Sequence, residues 1–265
     1  MNAAIAVRMV GADFLKLRKK RGTLIWALVL ALVPLLIFFI VRAAQHSSNP
    51  VANAAAGGVG GYTDGLRLLA VFFGPLAAIM IGSDGGAGDL AAGVFRDLVV
   101  TGRSRLALFG ARVPAALGLC WLVVGAGYVL TLIGTYVFSS GTPTPGGALL
   151  ANGLGFAFLS TGVVCVVAVG FASLTGSRPA ALTVLIGWQL VASPILANIS
   201  SLGSARRLVL SQAITHFSPV NLGDRGGPRG GTTVTMSGGV ALIVIAGWLV
   251  VFLALGAWRT RTMDA

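Results

Sequence analysis

The sequence predicts an all-α membrane protein with six transmembrane helices, and three observations support that prediction. Of the 265 residues, 56% are hydrophobic and only 10% are charged, whereas soluble domains carry about 25% charged residues. Uncharged runs recur at the length that a helix needs to cross a bilayer, about 20 residues at ~1.5 Å each. The Lys and Arg residues lie between these runs and concentrate on one side of the predicted membrane.

The predicted spans cover residues 22–41, 67–83, 113–138, 149–174, 181–199 and 239–258. The third and fourth spans share one uncharged run between Arg112 and Arg178. The stretch "SSGTPTPGG" (139–147) divides that run, because two prolines and three glycines break a helix.

Orientation follows from the distribution of the 19 Lys and Arg residues. With both termini in the cytoplasm, including the tail 259–265, most of these residues lie inside, as the positive-inside rule requires. Those left outside are Arg42, Arg67, Arg206, Arg207, Arg225 and Arg229. The net charge of +12 therefore indicates contact with anionic membrane lipid and not with nucleic acid. The Ala- and Gly-rich, Lys-poor composition is typical of a bacterial protein, which suggests the bacterial plasma membrane.

The N-terminal segment 1–21 is predicted to lie on the cytoplasmic membrane surface. Residues 3–21 have helical periodicity, which indicates an interfacial amphipathic helix that leads into the first span. Its apolar face consists of Val7, Val10, Phe14 and Leu17, and its basic face of Arg8, Lys16 and Lys19. The alternative is a plain basic stop signal before the first span.

The stretch "DGGAGDLAAGVFRD" (84–97) contains three Asp residues and raises the question of a metal site. CDP-alcohol phosphotransferases carry D-x-x-D-G-x-x-A-R, eight residues, and then G-x-x-x-D-x-x-x-D. Here Gly93 and Asp97 fit the second half, but Thr101 stands at the last Asp position and the first half is missing. The spacing predicts no metal site. Cys120 and Cys165 lie in apolar runs, which is typical of buried thiols and not of metal ligands.

Other catalytic motifs are also missing from the sequence. An intramembrane serine protease would need Ser177 to meet a His, but His216 is predicted on the other side of the membrane. The lysines do not follow a phosphate-binding glycine loop. We therefore expect no enzymatic activity and no cofactor in this chain alone.

The run "DLAAGVFRDLVVTGRSRLALFGARV" (89–113) resembles the cytoplasmic loop of ATP-binding cassette permeases of the type-2 exporter family. Those loops carry an acidic residue, then Gly-Thr-Leu-Arg, a short helix, a turn with Ser-Arg and a basic residue at the third span. Asp89 stands at the acidic position and Arg112 at the basic one. Residues 93–96 (GVFR) and 102–105 (GRSR) stand at the two motifs between them.

The resemblance implies a permease subunit of an ATP-driven exporter that moves a lipophilic or amphipathic cargo. Its partners would be two copies of a cytoplasmic ATPase, which carry ATP and Mg, and a second permease chain. The ATPase would bind a coupling helix in the 84–112 loop. The implied partner-binding residues are Asp89, Gly93, Val94, Phe95, Arg96, Leu98, Arg103 and Arg105. Two alternatives stay open: a non-transporting membrane subunit for signalling or anchoring, and a six-span membrane enzyme.

The resemblance also implies a re-entrant segment on the outer side, between the fifth and sixth spans. Residues 204–217 can form one helix there, with Leu208, Val209, Ala213 and Phe217 on one side. Polar residues inside the spans are candidates for the substrate pathway: Thr131, Asn152, Gln189, Ser193 and Asn198. The alternative for each is a hydrogen bond between helices.

Overall fold

A computed structural model describes residues 3–91, 93, 104–220 and 236–262. Within these ranges every regular element is a helix and there is no strand, which confirms the all-α prediction. The helices are α1 (Ala3–Lys19), α2 (Arg21–Ser48), α3 (Gly58–Leu90), α4 (Arg105–Val137), α5 (Gly147–Thr175), α6 (Arg178–Asn198), α7 (Leu210–Thr215) and α8 (Gly238–Thr262). A 3₁₀ segment, Ser200–Leu208, lies between α6 and α7.

Six of these helices, α2 to α6 and α8, are long and apolar enough to cross a membrane. They suggest a multi-pass membrane protein, as the sequence predicts. The helix that contains the second predicted span begins at Gly58, well before Arg67. Its first turns are helical because they are packed: the Tyr62 side chain is buried, and its hydroxyl lies 2.9 Å from the Tyr128 hydroxyl. The hydropathy of a glycine-rich segment does not indicate this packing.

The centre of the bundle consists of α3 and α5. The contact between these two helices is more extensive than the contact of either with any other helix. Small residues make this approach possible. A Cβ atom added at Gly82 of α3 would lie 2.5 Å from the Cys165 carbonyl oxygen of α5. Likewise, a Cβ at Gly256 of α8 would lie 2.8 Å from the Gly170 carbonyl oxygen of α5. Membrane helices commonly pack through such small residues, because dispersion contacts replace the hydrophobic effect.

One end of the bundle, here called the basic end, contains α1, the N-termini of α2, α4 and α6, and the C-termini of α3, α5 and α8. The opposite end contains the connections between the other helix ends. There the Gly57 amide donates to the Phe138 carbonyl at 2.8 Å, and the Val59 amide donates to the Pro143 carbonyl at 2.9 Å. These bonds join the start of α3 to the turn between α4 and α5.

Helix α1 lies against α4 at the basic end, in agreement with a helix over most of residues 3–21. Val10, Phe14 and Leu17 contact the core, whereas Val7 is exposed. The sequence predicts that Lys16 belongs to an outward basic face. Its ammonium group instead contacts Asp89 inside the bundle. The interfacial position of α1 stays a prediction.

The segment between α6 and α8 is not the single helix expected over residues 204–217. The 3₁₀ segment ends at Leu208, Val209 has an extended backbone, and α7 begins at Leu210. The change of direction leaves Leu208 exposed while Val209 and Ala213 are buried, so they do not share one side. A re-entrant position for this segment stays a prediction.

Candidate functional site: an ionic cluster and an apolar cavity

Seven polar side chains converge at the basic end and form what we call the ionic cluster. They come from α1, α2, α3, α4 and α6 and from Lys20, which joins α1 to α2. Its members are Lys16, Lys20, Thr23, Asp84, Asp89, Arg112 and Arg178. The two carboxylates belong to the last turns of α3, and the cations come from the surrounding elements.

Asp89 is bound by two cations and is 4% exposed. The Arg112 Nη2 atom donates to Asp89 Oδ2 at 3.1 Å, and the Arg112 side chain is itself 3% exposed. The Nη1 atom of Arg112 donates to the Gly86 carbonyl at 3.3 Å. Lys16, whose side chain is 40% exposed, contacts the other carboxylate oxygen. The end of α3 is therefore attached to both α1 and α4.

Asp84 lies one turn earlier and is also buried. The Thr23 hydroxyl donates to its Oδ2 atom. Around Oδ1, the Lys20 Nζ atom lies at 3.4 Å and the Arg178 Nε atom at 3.1 Å. The Arg178 pairing is an ion pair without an aligned hydrogen bond, since the Nε–H has no acceptor in line among the described residues. Arg178 also donates from Nη2 to the Thr23 hydroxyl at 3.2 Å.

The cluster offsets an unfavourable charge arrangement. Carboxylates at a helix C-terminus are repelled by the partial negative charge of the helix dipole, and burial adds a desolvation cost. The cations of the neighbouring helices neutralise both carboxylates. Beside the cluster, burial raises the pKa of the Asp13 carboxyl group of α1, and the nearby Asp89 raises it further, whereas Lys16 and Arg112 lower it.

The coupling residues implied by the resemblance lie largely beyond this cluster. Val94, Phe95, Arg96, Leu98 and Arg103 are outside the described residues. Gly93 is exposed and has a positive φ of 69°. The half-buried Arg105 donates from Nη1 to the Arg261 carbonyl at 3.3 Å. Asp89, which the resemblance implies as a partner-binding residue, is not exposed: its carboxylate is buried and bound within the chain.

The described part of the chain contains no group of three or more His, Cys, Asp or Glu residues placed to share a metal ion. Asp84 and Asp89 face cations of the chain itself. The "DGGAGD" portion of the acidic stretch therefore joins helices together in this structure.

A cavity of about 240 Å³ lies between α3, α5, α6, α7 and α8. Its wall is mostly aliphatic and aromatic, and none of the described residues that form it carries a charge. The aromatic wall residues are Phe156, Phe171, Trp188, Trp248 and Phe252, and the polar ones are Ser160, Gln189, Ser193, Ser211 and Thr215. The Trp188 and Trp248 rings, 5.7 Å apart, connect α6 and α8 at its edge.

The wall formed by α3 is irregular, because Leu68–Phe73 is π-helical. The Gly74 amide donates to the Leu69 carbonyl, and Pro75 has no N–H to donate. Two backbone carbonyl groups near the cavity accept hydrogen bonds from side chains of other helices. Ser160 of α5 donates to Ala70 at 2.5 Å, and Gln189 of α6 donates to Val71 over a longer 3.4 Å.

The facing wall formed by α6 contains a second π-helical segment, Trp188–Ala192, followed by Pro194. The Ser193 amide donates to the Trp188 carbonyl in this segment. The Ser193 side chain lies 2.7 Å from the Ser211 hydroxyl of α7, oxygen to oxygen. Such π-helical insertions are rare and are frequent at functional sites.

Two of the five candidate pathway residues meet at this cavity, namely Gln189 and Ser193. The other three do not. Thr131 is buried and donates to the Gly127 carbonyl of its own helix, and Asn152 is exposed. Asn198 is exposed and donates to the Pro194 carbonyl.

The sequence predictions missed Ser160 and Ser211, because single serines in apolar runs give no signal of what they face. They also missed the pairing of Asp84 with Lys20 and Arg178. A signal existed there, since two buried acids beside a basic membrane boundary require counter-charges.

The chain matches no known protein family and no curated protein in comparisons of its sequence. The likeness to type-2 exporter permeases therefore remains a resemblance of the 89–113 motif and of the layout.

Proposed function

We propose that this chain is the membrane-spanning permease subunit of an ATP-driven exporter. A separate cytoplasmic ATPase, present in two copies and holding ATP and Mg, binds the 84–112 loop. A second permease chain completes the pathway in the bacterial plasma membrane. The cargo is lipophilic or amphipathic, and both termini of the chain are cytoplasmic.

The ionic cluster is the observation that supports this proposal most strongly. The end of α3 leads directly into the 94–103 segment, which contains the motif that resembles a coupling helix. Asp89 and Asp84 attach that end of α3 to α1, α2, α4 and α6. A force applied to the 94–103 segment would thus act on several helices at once, and not on one flexible loop.

The cavity gives a second line of support. Uncharged walls suit a cargo that comes from the hydrocarbon region, whereas ion-coupled carriers usually need charged groups inside the membrane. The wall includes parts of α3 and α6, and one end of each of these helices takes part in the ionic cluster. Movement of these ends relative to each other would change the shape of the cavity.

The test is the interaction of the chain with an ATPase from its native cells. The tagged chain is purified from these cells, the copurified ATPase is identified, and the complex is reconstituted for hydrolysis and export assays. Arg96→Glu should weaken the complex by roughly fivefold to a hundredfold, as expected for about 1–3 kcal/mol at a partly buried ion pair. The matched control is Arg8→Glu, which makes the same charge change on the exposed side of α1.

Equal binding of the ATPase by both variants would contradict the coupling role. Purification of a stable chain that never associates with an ATPase would contradict the proposal as a whole. It would favour the non-transporting alternative if other membrane proteins copurify in its place.

A further inference from the structure

We propose that the cavity between α3, α5, α6, α7 and α8 binds an uncharged lipophilic molecule with a ring system and one hydrogen-bonding group, which Gln189 recognises. Describing this molecule as cargo depends on the proposed function, but the binding itself does not. The inference is based on the polarity of the wall, the free hydrogen-bonding capacity of one side chain, and the exposure of part of the wall on α6.

The wall excludes charged ligands. None of its described residues is charged, and an isolated ion in such surroundings would lose its hydration without gaining a counter-charge. Aromatic side chains line one side, including Trp188, Trp248 and Phe252. The Trp248 and Phe252 rings stack on each other with their centroids 5.5 Å apart, so each ring holds the other in a fixed orientation in the wall.

Gln189 provides the specific polar contact. One amide hydrogen reaches the Val71 carbonyl over 3.4 Å, and within the described residues its Oε1 atom and other amide hydrogen have no partner. The remaining wall hydroxyls are largely engaged, since Ser160 donates to Ala70 and Ser193 pairs with Ser211. A ligand donor directed at Gln189 Oε1 would therefore replace no strong existing bond.

The cavity wall extends to the outer surface of the bundle at α6. Val184 belongs to the cavity wall and is 53% exposed. In a membrane-spanning chain this surface meets lipid, so a lipophilic ligand can enter from the bilayer. α7 covers one end of the cavity through Leu210 and Ile214. The two π-helical segments flank the ligand position on α3 and α6.

The experiment uses the full chain in lipid nanodiscs, without ATP or ATPase. Trp26, Trp121 and Trp258 are replaced by Phe, which leaves Trp188 and Trp248 as the fluorescence donors. The probe is N-phenyl-1-naphthylamine, an uncharged two-ring-system amine with one N–H. We expect saturable energy transfer from the two tryptophans to the probe, above the linear background of probe dissolved in lipid.

The variants separate recognition from partition into lipid. Gln189→Leu should raise the half-saturating probe concentration roughly three- to tenfold, the range for loss of one hydrogen bond. Gln45→Leu, the same change at an exposed site of α2, should have no effect. Val164→Phe fills the cavity and should abolish the saturable signal, whereas Val129→Phe on the exposed side of α4 should not.

Three outcomes would overturn the inference: a signal that is linear in probe, a saturable signal unchanged by Gln189→Leu, or occupation of the cavity by lipid tails. The last is tested with phospholipids brominated on the acyl chains. Quenching of Trp188 and Trp248 that the probe does not relieve would identify a lipid tail as the occupant. If Val164→Phe does not fold, Gln189→Leu still decides the question. Intact probe binding without ATPase association would contradict the proposed function alone.

Discussion

Replacement of Asp89 should destabilise the bundle more than replacement of either of its cations. The carboxylate is the common partner of Arg112, whose Nη2 atom lies 3.1 Å away, and of Lys16. Asp89→Asn keeps the size of the side chain but removes the charge from both pairings. The change acts where α1, α3 and α4 meet, so it should loosen their attachment at the basic end.

The burial of each partner sets the expected magnitudes. Asp89 and Arg112 are 4% and 3% exposed, and removal of one member of such a buried pair costs about 3–5 kcal/mol. Lys16 is 40% exposed, so solvent screens its pairing and Lys16→Met should cost only about 0.5–1 kcal/mol. Arg112→Met leaves Asp89 paired with Lys16, and we expect a loss of about 1–3 kcal/mol.

The assay is unfolding of the purified chain by SDS titration in mixed micelles, followed by far-ultraviolet circular dichroism. The double variant Asp89→Asn with Arg112→Met completes a mutant cycle. Because both substitutions remove the same ion pair, the double variant should cost less than the sum of the two, by about 0.5–3 kcal/mol.

Two results would refute this reasoning. Strict additivity in the cycle would mean that Asp89 and Arg112 do not stabilise each other. A loss in Lys16→Met as large as that in Asp89→Asn would mean that the exposed pairing, and not the buried one, holds the end of α3.

Three further predictions concern packing, titration and topology. Gly82→Ala places a Cβ atom 2.5 Å from a carbonyl oxygen of α5, so it should lower the unfolding free energy by about 1–3 kcal/mol. The control is Gly155→Ala, which has open space around it and should be neutral or slightly stabilising in the same SDS titration. Burial raises the pKa of the Asp13 carboxyl group, so its protonated form stabilises the fold below about pH 4, and this contribution is lost as pH rises through the raised pKa. The melting temperature of Asp13→Asn should therefore change less between about pH 4 and pH 7 than that of the unsubstituted chain. Equal pH profiles for the two proteins would contradict this prediction. With the termini in the cytoplasm, a cysteine in Thr142→Cys should react with an impermeant thiol reagent from outside and one in Thr101→Cys should not, and the reverse pattern would invert the topology.

The all-helical class and the six membrane-length helices could be predicted from the sequence because their signals are local. Uncharged runs set the helix lengths, and the Pro- and Gly-rich stretch 139–147 separates two spans without reference to any other part of the chain. Where local signals were misleading, tertiary packing was the reason. The start of α3 is helical because Tyr62 is buried against α4 and α5, although its sequence is rich in glycine.

The ionic cluster and the cavity were decided by tertiary structure. Lys16 and Asp89 are 73 residues apart in the chain, and their pairing depends on which helices become neighbours. The sequence indicated that Gln189 and Ser193 are candidate pathway residues. It did not indicate that Pro75 and a π-helical segment would present the Val71 carbonyl to Gln189. Hydropathy and periodicity describe one helix at a time, whereas a buried charge or a cavity wall is completed by side chains from several helices.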